Sequence, residues 1–221
     1  MDRSKGAGFL ILANYLPLIY LLTGACLVWR LPLDTWERWG IGFAWIYLLP
    51  PLAARALQGM FGKVTATDAT PHDRAYKLWW LLTQIQMPFN RLPMLEELLR
   101  LVPGLYAFWL NLWGSHVSPF VFWAPGALCP DRYLLEVRSG AVLGTRCVLS
   151  GHLVTQGDQG NYRLTVARVL IEEGAVIGVA AGISPGCRVH AHETVPAGRL
   201  LPPFTSWKDG RKNRGEDLGI R

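Results

Sequence analysis

Three histidines in the last third of the chain, His152, His190 and His192, are the side chains best suited to moving a proton or holding a metal ion. Imidazole has an unperturbed pKa of ~6.5, so it takes up and releases protons near neutral pH, and its nitrogens also ligate zinc. His152 opens the polar stretch HLVTQGDQGNYRLTVAR, and Asp158 within that stretch and the pair Glu172 and Glu173 beyond it are candidate carboxylates to orient it. Such a histidine works only if a rigid wall positions it.

The wall is written in a six-residue period. Val137, Leu143, Leu149, Ile171, Ile177, Ile183, Val189 and Val195 share one phase, which neither a helical nor a simple strand period explains. Small residues follow four positions later at Ala141, Cys147, Ala175, Ala181 and Cys187. Short strands joined by turns, with one branched and one small side chain facing inward per hexad, are the signature of a parallel β-helix. Between Leu149 and Ile171 the phase breaks, so one coil must throw out an excursion there, and His152 stands at its root in the fourth position of its hexad, outside the apolar interior. His190 and His192 lie about two coils further on. That is a poor match for ligands converging at ~2.0 to 2.1 Å on zinc, so no metal site is expected.

The first third of the 221 residues is different. Gly6 to Trp29 carries no charge and is long enough to cross a bilayer; a cleaved signal peptide is the rival reading, disfavoured because no A-x-A site follows. Trp39 to Ala54 is shorter and interrupted by Pro50 and Pro51, which reads as a kinked span or a re-entrant arm. Arg3, Lys5, Arg55 and Lys63 flank the pair of segments against Arg30 and Arg38 between them, a basic bias that places the two ends in the cytoplasm. Tyr76 to Gly114, with Trp79, Trp80, Trp109 and Trp113 among leucines and prolines at 88, 93 and 103, predicts short helices that lie at the bilayer interface or cap the open end of the β-helix. From Thr205 the mixed charge predicts a mobile tail.

The 22 basic residues against 16 acidic suit an anionic lipid surface; nucleic acid is discounted because no aromatic-basic interleaving is present. The four cysteines have no paired spacing and two fall on inward positions, so they read as small core residues. The domains are thus a transmembrane helical hairpin at 1–60, amphipathic interfacial helices at 61–115, a β-helix at 116–203 and a polar tail at 204–221. The fold class is an α+β membrane protein.

From Gly114 to Pro203 the residues VLGTRCVLSGHLV, then a polar loop, then VLIEEGAVIGVAAGISPGCRV resemble the hexapeptide-repeat acyltransferases. The arrangement ahead of the β-helix is similar to the terminal regions of some bacterial poly-amino-acid and nonribosomal peptide synthetases. The resemblance implies a left-handed β-helix, a homotrimer, and an acyl thioester donor, either coenzyme A or a carrier protein, lying along the wall between subunits. His152 matches the place of that family's catalytic histidine, where it would take a proton from an acceptor hydroxyl or amine. Gly178, Ala180 and Gly186 would let a pantetheine arm approach the backbone, and Arg188 or Arg199 would meet phosphate. The fold is also shared by γ-class carbonic anhydrases, in which histidines ligate a metal, and a non-catalytic trimeric scaffold is the remaining alternative. The resulting expectation is an acyltransferase in a bacterial inner membrane with its catalytic domain in the cytoplasm.

Overall fold

In the computed structural model, which describes residues 4–157 and 161–214, the hexad anchors stack as neighbours one coil apart. Ile177 pairs with Val195 on one side and Leu143 on the other, and Ile183 with Leu201 and Leu149. Val189 lies between Trp207 and Ile171, which in turn pairs with Val137. All these pairings are parallel, so the coils form three stacked walls of short strands, a parallel β-helix. Every anchor named in the sequence is at most 1% exposed, and the small residues at Ala141, Cys147, Ala175, Ala181 and Cys187 are fully buried beside them. Each buried Leu or Ile contributes roughly 1.5–3 kcal/mol, so the ladder is the main source of cohesion in this half.

The corners carry a second regularity. The third residue after most anchors has left-handed backbone, and side-chain-bearing residues occupy several of these places: Arg146 (φ 55°), Ala180 (φ 54°) and His192 (φ 61°). Histidine is among the residues that tolerate this region, which accounts for His192 as a turn residue. At the neighbouring corner Gly174 (φ 63°) leaves room for the His192 ring, since a Cβ there would lie 2.5 Å from Nδ1.

Where the phase breaks, His152–Gln156 runs out antiparallel to Tyr162–Val166, and Ala66–Ala69 joins the latter strand to complete a three-stranded sheet. From Thr205 to Arg214 the chain forms paired strands where its composition predicts a mobile tail, and residues 215–221 of that tail lie outside the described residues. Thr205–Lys208 adds in parallel to the wall and Arg211–Arg214 folds back on it antiparallel. Trp207 continues the anchor series and is buried, so its burial outweighs the polarity of its neighbours.

Helices α1 (Ser4–Ala13), α2 (Leu16–Arg30), α3 (Thr35–Phe43) and α4 (Leu49–Phe61) form the N-terminal hairpin. Gly8–Arg30 and Thr35–Phe61 are each long and apolar enough to cross a membrane. Pro50 and Pro51 do not end the second segment. A π-helical turn at Ala44–Leu48 joins α3 to α4 ahead of them, and the widened turn takes up the hydrogen bonding that proline disturbs. Gly24 of α2 lies directly under the Trp45 ring, the close approach a small residue permits. Between hairpin and β-helix run α5 (Arg74–Arg91), α6 (Met94–Arg100) and α7 (Leu105–Leu112). Trp79, Trp109 and Trp113 are buried in one apolar cluster with Val117, Leu135 and the coil anchors, so these helices cap the β-helix.

A candidate Asp–His site at the break in the repeat

His152 begins the excursion, and its Nδ1 lies 2.6 Å from Oδ2 of Asp131. Asp131 comes from the preceding coil, whose register is set by Val117 against Val137 and Leu128 against Val148. The same Oδ2 accepts the backbone N–H of Gly151 at 2.9 Å. Gly151 is required here, because a Cβ would lie 2.7 Å from Cδ1 of Leu134 and 3.1 Å from Cβ of Asp131. The Asp131 side chain is 1% exposed and that of His152 25%, so the carboxylate is sealed in while the imidazole reaches the surface. Oδ1 of Asp131 is buried without a hydrogen-bond partner among the described residues. An incompletely satisfied buried carboxylate is unfavourable for folding and is characteristic of functional positions.

The helical cap holds the pair from the other side. Trp79 of α5 packs on the His152 ring with centroids 5.0 Å apart and planes inclined by 53°. Gln86 of the same helix accepts the Arg132 N–H at 2.7 Å, and Ser115 Oγ donates to the Arg132 carbonyl at 2.6 Å, which pins the Asp131 loop. The Arg132 guanidinium in turn donates through Nε to Glu96 at 2.6 Å and through Nη1 to Asn90 at 2.8 Å. Glu96 also accepts from Arg100 at 3.3 Å and from the Tyr106 hydroxyl at 2.5 Å. Arg132 and Glu96 are buried, so this cluster is a single hydrogen-bonded unit joining α5, α6 and α7 to the coil that carries Asp131.

Burial beneath Trp79 works to lower the His152 pKa, but the hydrogen bond and charge of Asp131 outweigh it and leave the pKa raised above 6.5. With Asp131 accepting at Nδ1, the neutral ring carries its proton there, and Nε2 is the free base directed away from the pair. The arrangement can therefore draw a proton from a polar group brought against it.

The other residues singled out by the sequence fall elsewhere. Asp158 lies outside the described residues. Glu172 does not orient His152. It is buried against Arg188, which donates through Nε at 2.7 Å, and it accepts the Ala191 N–H at 3.0 Å. Burial raises its pKa, but Arg188, the Ala191 amide and His190 together bring it below the usual carboxylate value. Glu173 is exposed. His190 shares a hydrogen bond with Ser206 Oγ at 2.9 Å and faces Glu172 at 3.9 Å. No three His, Cys, Asp or Glu side chains gather into a metal-binding group among the described residues. Gly178 sits under the following coil, where a Cβ would lie 2.5 Å from the Ala197 nitrogen, and Phe204 covers Gly186. Both glycines thus serve coil stacking instead of an open groove, while Ala180 stands exposed at its corner. Cys129 and Cys147 are buried, and burial pushes their thiols up to about 12 and about 11, which keeps them unreactive core residues.

Asp131 is the member of this candidate site that the sequence did not single out. The signal was available as coil register: Val117 to Val137 and Leu128 to Val148 each step 20 residues instead of 18, which sets Asp131 opposite Gly151.

No known protein family and no curated protein matches the chain. Among solved structures, it is similar to serine acetyltransferase of Neisseria gonorrhoeae in complex with serine, at 16% identity over 79% of this chain and 77% of that one, with a TM-score of 0.26. It is also similar to serine acetyltransferase 1 of Entamoeba histolytica in complex with L-cysteine, at 11% identity over 75% and 65% of the two chains, with a TM-score of 0.23. Likenesses at these TM-scores carry no argument about this chain, and the functional reading rests on its own residues.

Proposed function

We propose that this chain is a membrane-anchored acyltransferase built on a left-handed β-helix, moving an acyl group from a coenzyme A thioester to a hydroxyl or amine. The observation that carries the reading is the 2.6 Å contact between buried Asp131 and part-exposed His152 at the root of the excursion. His152 Nε2 takes the acceptor proton as the acceptor oxygen or nitrogen attacks the thioester carbonyl carbon. The carbon–sulfur bond then breaks, and the imidazolium returns the proton to the departing thiolate. Asp131 is a positioning residue that fixes the ring tautomer and stabilises the imidazolium. Donor contacts fall to the exposed corner at Ala180 and to Arg188, whose guanidinium remains one-third exposed beside Glu172.

The flat coil walls suit a homotrimer, and the two long apolar helices suit a bacterial inner membrane with the β-helix in the cytoplasm, where coenzyme A thioesters are present. The experiment follows release of the coenzyme A thiol from acetyl-coenzyme A in the presence of amine and hydroxyl acceptors. His152→Ala is expected to lose about 10² to 10⁴ in rate, with assembly unchanged. Full turnover by that variant removes the general-base role and leaves a non-catalytic scaffold.

A further inference from the structure

Helix α5 has two working faces. Trp79, Leu82, Gln86 and Phe89 lie against the β-helix, whereas Leu81, Gln84, Ile85 and Pro88 line a cleft of about 410 Å³ on the hairpin side. Two residues along a helix turn the side chain by roughly 200°, so Leu81 points away from the face on which Trp79 covers His152. The remaining walls come from α2, including Leu16 and Tyr20, and from α4, including Leu49 and Ala53. The lining is almost entirely hydrocarbon. Its exceptions are the Tyr20 hydroxyl, which donates to the Trp45 carbonyl, and Gln84, which is 3% exposed and whose amide makes no hydrogen bond to the described residues. The amide opens onto the cleft, where it can pair with a polar group that enters.

We infer that this cleft is a binding site for the acyl chain of a bilayer lipid, with the chain against the α2 and α4 walls and the ester carbonyl accepting a hydrogen bond from the Gln84 amide. Two features specify the occupant. The outer surfaces of the same helices expose Leu18, Ile19, Leu22 and Leu52, so a bilayer around the hairpin presents hydrocarbon at the mouth of the cleft. The acceptor a lipid carries at the head of its chain is an ester carbonyl, which matches the single unpaired donor group inside. A lipid seated there braces α5 from the side opposite Trp79. The inference rests on the hairpin being embedded in a bilayer, and the test separates the two.

The full chain is reconstituted in phosphatidylcholine nanodiscs containing a lysophosphatidylcholine whose acyl chain bears a diazirine, irradiated, digested and mapped by mass spectrometry. Adducts are expected on the peptides containing Leu49–Leu57 and Leu81–Pro88 as well as on the outward residues Leu18–Leu22. Ala53→Trp, which fills the cleft, should remove the Leu81–Pro88 adducts and leave the outward ones. Gln84→Leu keeps the volume and should reduce cleft labelling by the ester lipid about fivefold, the effect of one neutral hydrogen bond, without changing labelling by a diazirine alkane. Outward adducts with an unlabelled cleft, or cleft labelling indifferent to both substitutions, overturn the lipid site. Absence of adducts from the outward residues as well overturns the membrane reading beneath it.

Discussion

The coils and the helical cap are held together by opposite means. In the coils, Ile171, Ile177, Ile183 and Val189 repeat one apolar contact, so cohesion is divided among many equivalent positions. In the cap, beside an apolar cluster of tryptophans, Glu96 gathers Arg132, Arg100 and Tyr106 at a single buried point. The site lies where the two meet: Asp131 sits beside Arg132 on the coil side, and Trp79 covers His152 from the cap. A repeat supplies rigidity but only repeated chemistry, so an asymmetric site needs an interruption and an outside clamp.

The sharpest way to break this contrast is Glu96→Ala, which leaves Arg132 buried and unpaired. Removing one partner of a buried ion pair costs about 3–5 kcal/mol, and denaturant unfolding should show that loss together with reduced turnover, because the Asp131 loop loses its anchor. The matching change in the coils, Ile177→Ala, removes a fully buried side chain and should cost about 2–5 kcal/mol in the same assay. It should spare the rate of the remaining folded protein, since Ile177 pairs in its wall with Leu143 and Val195 and not with the strands that carry the site. Equal losses of rate from both would erase the distinction between the regions.

A smaller and more local effect is expected from Gly151→Ala. The added methyl must displace Leu134 or Asp131, an overpacking penalty of about 1–3 kcal/mol, and calorimetry should register it with a disproportionate fall in turnover. If turnover survives while stability falls, the close approach of Asp131 to His152 is structural only.

The coils were legible in the sequence because a six-residue aliphatic phase fits neither a helix nor a single long strand, and the break between Leu149 and Ile171 announced the hairpin that His152 begins. Asp131 was not legible by searching near His152, since its closeness comes from coil stacking across 21 residues. Thr205–Lys208 and Arg211–Arg214 were hidden by their charges, although Leu201 and Trp207 keep the phase of Val195. An outer strand needs only its inward residues to be apolar, so overall polarity misled where spacing did not. The cap was half legible: its tryptophans marked burial or an interface, and only packing shows Trp79 on the His152 ring.

The central claim is tested most directly by the pH dependence of thioester turnover in the parent and in Asp131→Asn. Only the neutral imidazole acts as base, and Asp131 raises the His152 pKa, so parent activity should climb with pH through a value above 6.5. The same sign governs stability: protonated His152 favours the folded state below the ordinary value, and that contribution is lost as pH rises through the raised one. In Asp131→Asn the raising influences are gone and burial remains, so the acid limb should move below 6.5 with a lower plateau. An acid limb that stays in place in Asp131→Asn, at undiminished rate, would contradict the account.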